Sequence, residues 1–295
     1  DPMPHDVIVV GGGYAGMAAA LQLLRARRDV LVIDAGERRN RFADRSHGFL
    51  GFDGENPAAI AATARRQLEA YPTLSWVEDR VTGASGTQDD FMVTTAAGGR
   101  HTTRRLILAT GVADTLPDLP GLAERWGRSA FHCPYCHGYE LDKGPVAVIA
   151  TGQTSLHQGL FLPEWGPTTF FTNASIDLTG ENRAELAARG ATVEDVPVER
   201  LEGTADVILA DGRRMTFAGI FVAPVTAPAT PVGEMLDLVH DETPMGRMIR
   251  ADDTRQTSLA GCFACGDLAR FPHSVSLAVG DGAWTGAQVH RSLMF

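Results

Sequence analysis

The stretch DVIVVGGGYAGMAAALQLLRARRDVLVID, Asp6 to Asp34, spells strand, glycine turn, helix and second strand. Val7 to Val10 has the length and β-branched composition of a buried strand, and it runs directly into glycines. Gly11, Gly13 and Gly16 fill G-x-G-x-x-G: the first permits the tight turn, the second lets a pyrophosphate approach the backbone, and the third lets helix and strand pack closely. Phosphates bind at such a helix N-terminus because its N–H groups lack intrahelical partners and the dipole favours negative charge. Asp34 closes the second strand, 18 residues past Gly16, where a carboxylate accepts hydrogen bonds from ribose hydroxyls. This context predicts a dinucleotide-binding Rossmann unit and leaves NAD and FAD both open.

Two stretches farther along the chain favour FAD. RRLILATG, Arg104 to Gly111, is a buried strand closing on a small turn, and TSLAGCFACGD, Thr257 to Asp267, is a strand ending in Gly266-Asp267. With the glycine motif they resemble the three nucleotide-contacting segments of the two-dinucleotide-binding-domain flavoproteins. The resemblance implies that Gly111 and Gly266 lie against the cofactor and that Asp267 binds the FAD ribitol. It also implies that the N–H groups around Ser274 and Val275, at the start of the helix HSVSLAVGDGAWTGAQVHRSL, meet the flavin ring. His273 reads either as a neighbour of the flavin or as an ordinary helix-start residue.

Between these segments, GPVAVIATGQTSLHQGLFLPEWGPTTFFT, Gly144 to Thr172, repeats the strand-turn-helix-strand plan. Aligning the turns sets Ala150 against Gly11, Gly152 against Gly13 and Ser155 against Gly16, so only the middle glycine survives. The following FFTNASIDLTGENR offers no acid at the strand end and no arginine before Arg183, and Asp177 lies too far past the strand to replace one. The repeat reads as a nicotinamide domain that has lost its nicotinamide site.

HCPYCHGYE, His132 to Glu140, lies just ahead of this repeat. C-x-x-C-H is a haem-attachment signature, C-x-x-C is half of many zinc sites, and in a cytosolic α/β protein the pair is more often redox-active. A c-type haem requires export. Zinc shared with Cys262 and Cys265 is disfavoured because strand alternation sends those two to opposite faces, as small core residues. No metal is expected. The order glycine motif, ATG, C-x-x-C opening an inserted domain, then G-D resembles the low-molecular-weight thioredoxin reductases over essentially the whole chain. Together with the eroded second motif, HCPYCHGYE resembles the FAD-dependent dithiol oxidases that act on natural products such as gliotoxin and holomycin. Thioredoxin reductases usually carry an aspartate where His137 stands. The resemblance implies that Cys133 exchanges with substrate and Cys136 faces the flavin. His132 and His137 are both candidates for the base, because imidazole titrates near neutral pH, with His132 favoured.

The 36 acidic against 26 basic residues, spread along the chain, argue against a nucleic-acid partner. No apolar run is long enough to span a membrane and no secretory signal is visible, so the expectation is a cytoplasmic protein. Asp1-Pro2 ahead of Met3 is set aside as an added remnant. The expected fold is α/β with two Rossmann-like domains: a split FAD domain, 1–115 and 245–295, around an inserted NAD(P)H-binding-like domain, 116–244, that carries CPYC. The expected activity is oxidation of a dithiol by FAD through Cys133/Cys136, with oxygen as acceptor. The alternatives are a disulfide reductase, thioredoxin-type with a protein disulfide as substrate, fed by NADPH or ferredoxin, and a non-catalytic flavin sensor. A homodimer is expected only because the resembled enzymes are dimers.

Overall fold

The computed structural model describes residues 4–295; the reading of Asp1-Pro2 lies outside them. In chain order the first elements are β1 (His5–Val10), α1 (Tyr14–Arg25), β2 (Val30–Asp34), α2 (Pro57–Glu69), β3 (Leu74–Glu78), β4 (Val81–Thr87), β5 (Asp90–Thr95) and β6 (Arg100–Leu108). Then come β7 (Val112–Thr115), β8 (Ala130–Phe131), α3 (Pro134–His137), β9 (Val146–Ile149), α4 (Ser155–Phe161), β10 (Thr168–Phe171), α5 (Gly180–Ala188) and β11 (Ala191–Glu194). The chain continues through β12 (Val198–Glu202), β13 (Asp206–Leu209), β14 (Arg214–Thr216), β15 (Gly219–Val222), β16 (Val225–Pro228) and α6 (Val232–Met235). It ends with β17 (His240–Thr243), β18 (Gly246–Ile249), β19 (Cys262–Ala264) and α7 (Val275–Met294).

These elements form two compact units. The first holds the chain up to Arg41, then Phe49–Ala113 and Thr226–Phe295. Its sheet runs β3-β2-β1-β6-β5-β4, with β19 pairing parallel to β6. Val7 and Val9 pack with α1 and α7, while Ile8 and Val10 face the opposite core. That is why β1 shows no polar alternation: a parallel strand covered on both faces is apolar throughout. Because β1 lies between β2 and β6, the turn after it opens at the point where strand order reverses, the usual ligand position in such sheets.

The second unit comprises Phe42–Gly48 and Asp114–Val225. Its parallel sheet runs β11-β10-β9-β15-β8, and the antiparallel β12-β13-β14 packs on one face through Val198, Leu201 and Val207. Both units are thus Rossmann-like, but their bounds differ from the expected 115 and 245. The return falls at Thr226 because Val232, Leu236, Leu238 and Ile249 belong to the core under β1 and β6. Phe42–Gly48, read with the first domain, belongs to the second: Phe42 lies against Gly127, and His47 Nε2 sits 3.3 Å from Glu140 Oε1. Among the described residues no helix is long and apolar enough to cross a membrane.

Candidate active site

In the first unit, the glycine turn is shaped by contacts that a side chain would block. Gly11 has φ +100°, and a Cβ on it would overlap the Ala109 carbonyl of the ATG turn; one on Gly16 would overlap the Gly11 carbonyl. Gly13 differs: no described atom lies within 4 Å of its would-be Cβ. It is the N-cap of α1 and brings no side-chain cap, so the first-turn N–H groups are left for an anion. Asp34 Oδ1 accepts from Gly12 N at 3.0 Å, which ties the end of β2 to the turn and leaves the second oxygen for a ribose. A cavity of about 420 Å³ opens there, lined by Asp34, Ala35, Gly36 and Arg38 among others. Asn40 Oδ1, close by through the bond from its Nδ2 to Tyr14 Oη, is buried with no hydrogen-bond partner among the described residues. These features fit a bound dinucleotide.

The last motif also stands in this unit. Gly111 and Gly266 both take positive φ, +70° and +73°, at the ends of β6 and β19. Asp267 opens a short 3-10 turn, Gly266–Ala269, and its Oδ2 lies 3.3 Å from Arg39 Nη1. The same Arg39 nitrogen stands 2.7 Å from His273 Nδ1. A guanidinium only donates, so Nδ1 stands as the acceptor. His273 is therefore not the helix cap. Ser274 fills that role, its Oγ accepting from Leu277 N at 3.1 Å, and Val275 is the first helical residue. Sequence reasoning missed Arg39, for it lies in no motif and is brought to Asp267 and His273 only by the fold.

In the second unit the repeat folds as expected, but its turn is closed on itself. Ser155, fully buried, accepts Thr151 N at 2.9 Å, and Thr151 Oγ1 donates to Ala223 O at 2.7 Å. Arg183, the first arginine after β10, is held by both oxygens of Asp195 at 2.9 and 3.0 Å. Gly152, the surviving middle glycine, keeps open space where a Cβ would stand, as Gly13 does, so this turn differs from the first at Ser155 and in the pairing of Arg183.

The same unit carries the cysteines. Cys133 and Cys136 form a disulfide with Cα atoms 5.4 Å apart; Cys133 is the N-cap of α3, and Pro134 starts the helix with the φ it favours. A thiolate at such a position is stabilised by helix N–H groups. The two histidines have different environments. His137 stacks on Phe131 with centroids 4.2 Å apart, and burial pushes its pKa down to about 4, with Glu140 pulling it up and His47 pushing it down. It is thus neutral at pH 7 and a poor proton acceptor, so the structure weighs against it as the base. His132 faces Trp126 at 6.1 Å, and its carbonyl accepts Gln158 Nε2 at 3.1 Å. Gln158, another residue missed from sequence, anchors the backbone just before Cys133 from α4. Cys262 and Cys265 are buried in opposite cores, and burial raises both thiols to about 12. They are inert, and the described residues contain no cluster able to hold a metal.

A dinucleotide cradle on one Rossmann unit and a reactive disulfide on another define a flavin-linked thiol/disulfide oxidoreductase. The chain belongs to the pyridine nucleotide-disulphide oxidoreductase family, whose model matches residues 5–282. It is 31% identical over 305 residues to thioredoxin reductase tcpT of Claviceps purpurea, spanning 98% of this chain and 94% of that one. It is 31% identical over 313 residues to thioredoxin reductase sirT of Leptosphaeria maculans, again 98% and 94%. Among solved structures, an oxidoreductase from Agrobacterium tumefaciens superposes with TM-score 0.97 at 54% identity, covering 99% of each chain. HlmI superposes with TM-score 0.92 at 32% identity, covering 100% of this chain and 94% of that one. The chain is a thioredoxin reductase-like flavoprotein, and its cofactor is FAD.

Proposed function

We propose that the protein oxidises a small-molecule dithiol to its disulfide and delivers the electrons to dioxygen. A substrate thiolate attacks Cys133 Sγ, the Cys133–Cys136 bond breaks, and Cys136 leaves as a thiolate. The second substrate thiol then attacks the mixed disulfide, releasing the substrate as its disulfide and Cys133 as a thiolate. Two electrons and two protons have then left the substrate. His132 takes up one substrate proton in this scheme and the second passes to solvent, since burial makes His137 too weak a base to keep a proton at neutral pH. Gly11, Gly13, Gly16, Asp34, Gly111, Gly266, Asp267, Ser274 and Val275 hold the FAD, with Arg39 orienting Asp267. When bound, FAD supplies two-electron acceptance from the cysteine pair and, in turn, reduction of dioxygen to hydrogen peroxide.

The observation that carries this direction is the closed turn of the second unit, where Ser155 replaces the third glycine and Asp195 holds Arg183. The names of the curated relatives favour a second reading, reduction of a protein disulfide. The test is peroxide formation in air with a small dithiol such as dithiothreitol: one peroxide per dithiol is expected from the wild type and none from Cys136→Ser. Wild-type turnover that requires NADPH and thioredoxin would overturn it. By resemblance to such enzymes the protein is a homodimer, which light scattering checks; its cytoplasmic location, expected from the sequence, is checked by cell fractionation.

A further inference from the structure

We infer that Asp281, through Arg255, is a positioning residue for FAD: this buried ion pair holds both ends of the turn that presents Asp267. Asp281 lies within α7, its side chain 8% exposed, a costly place for a carboxylate unless it is paired. Its Oδ2 accepts Gly266 N at 2.8 Å and Arg255 Nη2 at 3.0 Å. Arg255 Nη2 also donates to Ala269 O at 3.0 Å. One pair therefore fixes the first N–H and the last carbonyl of the turn Gly266–Ala269, while Asp267 inside it is left to the cofactor.

Further features support a role beyond packing. Arg255 takes φ +68°, a left-handed conformation uncommon for a residue that carries a side chain. Its carbonyl accepts Ala264 N at 3.0 Å, which fixes it beside β19. α7 reaches this position because Gly282 and Gly286 let it lie directly on the backbone of α1 at Ala15 and Ala19, where a Cβ would collide. A Cβ on Gly266 would press on Ala15 as well. Asp281 thus ties the last motif to α7, which in turn lies on the helix that starts at the glycine turn, so the two halves of the FAD site meet on one helix.

The test is the rate of FAD release from the holoprotein, read as the return of flavin fluorescence after dilution, alongside the thermal melt of each variant. Asp281→Ala and Arg255→Ala are each expected to speed release about tenfold or more, because a buried N–H or carbonyl loses its partner. Their double variant should release no faster than the single ones, since they act as one unit. Asp281→Asn keeps an acceptor for Gly266 N and should recover part of the loss; it also covers the case in which Asp281→Ala fails to fold. Unchanged release in Asp281→Asn and Arg255→Ala would overturn the inference. So would release rates that add in the double variant, or that track the fall in melting temperature alone with no recovery in Asp281→Asn.

Discussion

Replacing His137 by Phe tests the assignment of the two histidines, and its size follows from the fold. The unfolded chain binds a proton at this histidine near 6.5, whereas the folded protein binds it only near 4, mainly because the ring is buried. Between these values the unfolded state carries more protons, so folding stability falls as pH drops through the window and is fully present above it. At pH 7 the folded ring is protonated in about one molecule in a thousand. Taking 1.36 kcal/mol per unit, His137 alone costs about 2 kcal/mol at pH 5 relative to pH 8, and about 3 kcal/mol once both states are protonated. His137→Phe keeps a ring against Phe131 and removes the titration. Urea unfolding at pH 8 and pH 5, followed by tryptophan fluorescence, should show wild type losing about 2 kcal/mol more than the variant on acidification. Dithiol oxidation should stay within a few-fold in His137→Phe and fall on the order of a hundredfold in His132→Gln. Equal acid sensitivity of the two proteins, or a larger catalytic loss at 137 than at 132, would refute the assignment.

Two other substitutions separate cofactor binding from thiol chemistry. Gly16→Ala puts a methyl group onto the Gly11 carbonyl and should yield protein with less than about a tenth of its FAD, measured as the ratio of flavin to protein absorbance. Full flavin content would contradict the close helix–strand packing. Cys262→Ala should cost about 1 kcal/mol of stability and leave turnover within about twofold, because that thiol is buried and raised to about 12. A large loss of turnover would reopen a role for the second cysteine pair.

The elements most legible in the sequence were those whose signals are local. Gly11, Gly13, Gly16 and Asp34 sit within one strand-turn-helix-strand unit, and Gly16 answers a steric demand set by the Gly11 carbonyl inside that unit. The opposite burial of Cys262 and Cys265 followed from strand alternation alone. What the sequence hid depends on contacts between distant segments. The difference between His132 and His137 comes from the burial of one ring against Phe131, which composition does not encode. Arg39 meets Asp267 and His273 across more than two hundred residues of chain, and Asp281 acts through Arg255. The return at Thr226 was missed because the short α6 and the strands after it carry no periodic pattern; their place is set by joining the core under β1.

The central claim is that electrons enter from a dithiol and not from a nicotinamide. Anaerobic flavin absorbance, recorded after adding NADPH and separately after adding dithiothreitol, tests it most directly. Bleaching by the dithiol alone, and its loss in Cys136→Ser, is the predicted result. Rapid bleaching by NADPH would contradict it and show that the second unit still binds a nicotinamide donor.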